Sequence, residues 1–115
     1  MEVLKVLWFL AVGHVLSDFF LQTEFMAHAK NPECAEAEVE RGHCGPWWLW
    51  MGAHGMLNGV VTAWILGVWW FGPLEALHHA LTDWAKCTGK IGFWQDQMSH
   101  GVFKLFLGYL VLYVL

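Results

Sequence analysis

Charge is what this chain has least of. Only 14% of its 115 residues are Asp, Glu, Lys or Arg, against about 25% in an ordinary soluble domain. Basic residues are scarcer still: six Lys and Arg in all, with a net charge of -4 that comes largely from one acidic stretch. Such a balance excludes nucleic acid as a partner, because nothing offers a phosphate backbone its counter-charge. Cysteine is limited to Cys34, Cys44 and Cys87, an odd number that excludes a fully paired disulfide framework. A Cys34–Cys44 bridge would need that loop to face an oxidising compartment. A cleavable leader is also missing as an expectation. Glu2 and Lys5 make a poor basic region, no small-x-small site follows, and the first apolar run contains His14 and Asp18.

What fills the chain instead is apolar surface. Hydrophobic residues make up 57% and aromatic ones 17%, with nine Trp, and indole favours the boundary between headgroups and acyl chains. These features predict an integral membrane protein with little mass outside the lipid bilayer. The expected fold is all-α, a polytopic membrane four-helix bundle forming one domain over 1–115. A first helix is expected over 3–28, stopped by Asn31-Pro32. An exposed acidic loop follows over 31–46. The strongest span is expected over 47–71, broken by Gly72-Pro73. A short helix over 74–87 would cover only about 21 Å, less than the roughly 30 Å hydrocarbon core. The last helix is expected over 96–115, with Lys104 snorkelling or facing the bundle.

Three times in this apolar setting, aspartate and histidine stand four residues apart: His14/Asp18, His79/Asp83 and Asp96/His100. That spacing puts both side chains on one helical face. Ionisable groups in hydrocarbon cost roughly 2.5 to 3.5 kcal/mol each even on the lenient insertion scale, so a chain that keeps three such pairs has a use for them. An internal repeat supports the arrangement. His14-Val-Leu-Ser-Asp18-Phe19 recurs as His79-Ala-Leu-Thr-Asp83-Trp84, and each copy precedes a helix opening with His-Gly, at His54-Gly55 and His100-Gly101. Two repeated helical hairpins result.

Topology then brings the pairs together. His14/Asp18 and His79/Asp83 lie towards the C-terminal ends of their helices, and His54 and Asp96/His100 near the N-terminal ends of theirs. In a four-span bundle all of them fall in one leaflet. Lys30, Arg41, Lys86 and Lys90 lie on that side against Lys5 on the other, which places the site towards the cytoplasmic face of a bacterial inner membrane.

Imidazole and carboxylate together suit zinc first, with iron or manganese next, rather than Cu(I). The expected metal ligands are His14, Asp18, His54, His79, Asp83, Asp96 and His100. The expected chemistry is metal-dependent hydrolysis near the headgroups, with a metal-activated water and one of Asp18, Asp83 or Asp96 as general base. Against this stands a plain hydrogen-bond network, in which His and Asp on facing helices satisfy one another, or a proton relay in a transporter. A structural adaptor acting through the acidic loop, with homo-oligomers, is a third possibility. Weaker signals are Glu75-x-x-His78, half of a di-iron motif; a bis-histidine haem, opposed by the neighbouring aspartates; and Cys34, His43 and Cys44, which lack paired short spacing. Gln22 and Gln97 flank the clusters, and His28 and His78 belong to no constellation.

The run His14-x-x-x-Asp18-Phe19-x-Leu21-Gln22-Thr23, followed by Met26-Ala27 and Lys30, resembles the opening of the DUF3307 family of small bacterial and phage membrane proteins. His54-Gly55, His79-x-x-x-Asp83-Trp84 and Asp96-Gln97-x-x-His100 resemble its remaining motifs, so the likeness covers nearly the whole chain. It implies a multi-span membrane fold and no established activity. The acidic insert over 32–45 departs from the family pattern, and Cys34, His43 and Cys44 draw no support from it.

Overall fold

A computed structural model describes residues 2–32 and 46–115. The acidic loop with Cys34, His43 and Cys44 lies outside the described residues. Within them the chain is all-α, with four long helices and one short one.

Helix α1 (Val3–Val15) runs directly into a π-helical turn, Leu16–Phe20, closed by Leu21 N–H donating to the Leu16 carbonyl at 2.8 Å. Ser17 donates to the Gly13 carbonyl within the same turn. One extra residue per turn is a local distortion frequent at functional sites, and here the turn carries Asp18 in the interior. The expected continuous helix over 3–28 is therefore interrupted. Thr23 is extended (φ -70°, ψ 162°), and its hydroxyl accepts from the Met26 N–H at 3.1 Å, capping a new helix, α2 (Glu24–Ala29).

Helix α3 (Trp47–Leu66) ends at Gly67, whose left-handed conformation (φ 71°) suits glycine and lets its N–H reach the Ala63 carbonyl. The sequence reading ran this helix to 71 and began the next at 74. Instead α4 (Phe71–Cys87) takes in Gly72 and Pro73. Proline is tolerated in a first helical turn, where its missing N–H has no acceptor to lose. Helix α4 is thus 17 residues long, about 25 Å, rather than a short stub. Helix α5 (Phe93–Tyr113) starts earlier than expected, with the Gln95 side chain folded back onto the Gly92 N–H at 2.8 Å.

The closest interface joins α3 to α4. A Cβ placed on Gly59 would lie 2.3 Å from the Gly72 carbonyl oxygen, and one on Gly55 would lie 2.6 Å from that of Ala76. Gly55-x-x-x-Gly59 therefore faces Gly72-x-x-x-Ala76, a small-residue seam of the kind that brings helices together in lipid. A small apolar core (Val6, Leu10, Leu66, Phe71, Leu107) closes the end of the bundle away from α2.

Burial is inverted relative to a water-soluble protein. Among the described residues seven hydrophobic side chains are buried and twelve polar or charged ones are, while thirty large hydrophobics are exposed. Leu4, Phe20, Trp64, Trp69 and Trp94 are each more than three-quarters exposed. By length and hydropathy, one helix among the described residues is able to cross a membrane, Val3–Phe20, not the 47–71 segment. In α3 the buried His54, Asn58 and Thr62 lower the hydropathy, and α4, at 17 residues, is short of a span.

Candidate metal centre

Three helices each carry buried polar side chains at successive steps of four. They are His54, Asn58 and Thr62 on α3; Glu75, His79 and Asp83 on α4; and Asp96, His100 and Lys104 on α5. Each set forms a line down one face of its helix. With Asp18 from the π-helical turn, the lines meet in the centre of the bundle.

At that centre, Asp18 Oδ1 lies 3.0 Å from His54 Nε2 and 3.2 Å from His79 Nε2, and the two Nε2 atoms lie 3.1 Å apart. All three residues are buried. Protons alone do not fill this triangle. Each Nε2 carries at most one, so two protons serve at best two of three edges. A cation at the middle satisfies all three atoms at once. Ligands at 2.0–2.2 Å in a tetrahedral shell stand about 3.3–3.6 Å apart, so the three edges observed would open by a few tenths of an ångström around a cation. Asp18, His54 and His79 thus form a group able to hold a metal ion, and Asp18, Asp96 and His100 form a second.

The remaining two predicted ligands sit at the rim with partners of their own. His14 Nε2 is 3.0 Å from Gln97 Oε1 and 3.8 Å from Asp18 Oδ2. Asp83 is paired with Lys30 and, at 2.7 Å, with Lys86. It is 3.8 Å from His54 Nε2. The repeat is therefore asymmetric in use. In the first copy the aspartate is central and the histidine peripheral; in the second the order reverses. The π-helical turn in the first copy, against regular α-helix in the second, accounts for the difference.

Of the interior lysines, Lys104 was expected to snorkel or face the bundle, and Lys30 was missed. Lys30 bonds both Gln22 and Asp83, folding α2 over the cluster. Lys104 is buried against Glu75. Lys104 gave a signal by standing within an apolar helix, whereas Lys30 gave none, lying next to Asn31-Pro32 and 53 residues from its partner. Asn58 was also underrated: it shares the Ser17 hydroxyl with the Gly13 carbonyl, at 2.7 Å from Oγ, and donates to the His54 carbonyl at 3.2 Å, tying the π-helical turn to α3 beside the centre. Of the residues set aside, His78 lies 3.2 Å from Ser99 Oγ and stacks on Phe103, a packing role.

No protein-family model matches the chain, and no curated protein or solved structure does either.

Proposed function

We propose that this chain is a polytopic membrane protein that holds a divalent cation, zinc first, at Asp18, His54 and His79. The cation would serve hydrolysis of a bond in or next to the bilayer. One observation carries the proposal: the buried triangle of three lone-pair donors with edges of 3.0–3.2 Å. A bound cation of this kind supplies Lewis acidity and lowers the pKa of water towards 7. The chain's own groups then have distinct tasks. Asp83 is withdrawn from the centre by Lys30 and Lys86 and positions them. Asp18 is aimed by the Gln97 amide, which donates to Oδ2 at 3.1 Å. The DUF3307 resemblance belongs to this proposal and adds no activity to it.

The membrane part rests on inverted burial. Thirty exposed large hydrophobics among the described residues form a surface suited to lipid. The helix Val3–Phe20 is only 28% buried, which is low for the core helix of a water-soluble fold. Orientation changes its basis. Lys30 and Lys86 engage Asp83 inside the bundle, so a cytoplasmic placement rests on Arg41 and Lys90 against Lys5.

Metal analysis of protein purified in detergent tests the proposal. Stoichiometric metal in the wild type, lost in His79→Ala and Asp18→Ala, is the expected outcome; folded, metal-free wild type that stays empty when zinc is supplied refutes it. A proton relay is the second reading. Polar side chains continue from Asp83 through the centre to Glu75 and Lys104, eight residues or about 12 Å along α4. It predicts no bound metal, and a proton flux that fails in Asp18→Asn.

A further inference from the structure

We propose a second cation position beside the first, held by Asp96 and His100 and sharing the Asp18 carboxylate, so that the centre is dinuclear. The inference rests on the metal reading of the Asp18, His54 and His79 triangle and extends it to a defined stoichiometry.

The first support is a pair of buried, facing ligand atoms. Asp96 and His100 are both fully buried. His100 Nε2 stands 3.2 Å from Asp96 Oδ1, close enough for an ion pair but without the geometry of a hydrogen bond. Two ligand atoms that face each other off the hydrogen-bond axis can converge their lone pairs on a third point, which a cation would occupy. Their ligand atoms and one of Asp18 all lie within 4.8 Å of one another.

The second support is how the carboxylates are held. Asp18 presents Oδ1 to His54 and His79, while Oδ2 turns the other way, towards Gln97. The Gln97 amide donates to Asp18 Oδ2 and Asp96 Oδ2, at 3.1 Å in each case. It fixes the two carboxylates relative to each other and leaves Asp96 Oδ1 free for a cation. A carboxylate that turns one oxygen to each donor group can bridge two cations while keeping the Gln97 hydrogen bond on Oδ2.

The third is the pairing of the two histidines. His79, from the first group, stacks on His100, from the second, with ring centroids 3.9 Å apart and planes 13° from parallel. Stacked rings set the two donor sets side by side at roughly the 3.5–4 Å separation of two-metal sites. Charge agrees. Glu75 has Lys104 and Asp83 has Lys30 and Lys86. Among the described residues, the two carboxylates that face the donor nitrogens, Asp18 and Asp96, have one lysine nearby, Lys86 at 3.4 Å from Asp96.

The test counts metal on the full chain in detergent, stripped with a chelator and reloaded with Zn²⁺ alone. Two zinc ions per wild-type chain, falling to one in His100→Ala, are expected. One per chain in the wild type overturns the second position and leaves the first intact. None in the wild type overturns both. Loading with Mn²⁺ gives an independent readout that needs no variant: an exchange-coupled pair in the electron paramagnetic resonance spectrum is expected, and an isolated-ion spectrum at saturation overturns the proposal.

Discussion

Replacing Gly59 with alanine adds one carbon at the tightest point of the molecule. That carbon would stand 2.3 Å from the Gly72 carbonyl oxygen and 3.1 Å from Ala76 Cβ. Ordinary contact begins at 3.4 Å, so α3 and α4 must separate by about 1 Å locally. The obstacle is backbone, which cannot swing aside like a flexible side chain. Overpacking of this kind costs typically 1–3 kcal/mol, a factor of roughly 5 to 150 in the unfolding equilibrium. The same separation reaches the metal centre, because His54 precedes Gly55 on α3 and His79 lies on α4 one turn from Ala76. An Nε2–Nε2 distance of 3.1 Å opened by about 1 Å no longer fits one coordination shell, where distances hold within about 0.2 Å. Gly52→Ala is the control: nothing lies within 4 Å of a Cβ there, and alanine in a helix interior gains up to about 1 kcal/mol over glycine. Thermal melts in detergent and zinc titration of both variants make the comparison. Gly59→Ala is expected to melt lower and bind zinc at least tenfold more weakly, with Gly52→Ala at or above wild type. If the two variants behave alike, the packing account is wrong.

Three further outcomes are expected. Lys104→Met strands Glu75 in the interior and should cost about 3–5 kcal/mol, most of it recovered in Lys104→Met/Glu75→Leu, where no charge is left unpaired; thermal melts of the single and double variants check this. Thr23→Ala removes the α2 cap and should destabilise that helix by about 1 kcal/mol, read as faster hydrogen exchange at the Met26 to Lys30 amides with little change in global melting. Pro73→Ala should shift stability by no more than about 0.5 kcal/mol, since the proline sits in a first turn; a large loss in the melt would mean that it shapes the α3–α4 connection after all.

Much of the centre was legible because its code is local. A spacing of four fixes a helical face, and the order of helices fixes depth, so Asp18, His54, His79, Asp96 and His100 could be placed at one level without coordinates. What periodicity cannot supply is the partner across the bundle. Asp83 matched the pattern as well as Asp18 did, but two lysines from different parts of the chain claim it. Lys30 looked like a loop charge because sequence distance hides that α2 folds back, and Lys86, three residues from Asp83 on the same helix, was read only as a charge at the helix end. The seam of Gly55, Gly59 and Gly72 was also overlooked, for glycine adds nothing to a hydropathy profile. Pro73 misled in the opposite direction: proline signals a break only where a turn has already begun.

The α3–α4 seam bears on how such a chain would enter a bilayer. Taken alone, α4 would bring Glu75 and Asp83 into hydrocarbon at roughly 2.5–3.5 kcal/mol for each charge. Closed on α3, it already has His79 against His54 and Asp83 near the same ring, with the two backbones in contact through glycine. On the proposed reading the hairpin, not the single helix, is the unit of insertion. Its assembly precedes its burial, and a glycine that keeps two helices close then acts at biogenesis before any metal arrives.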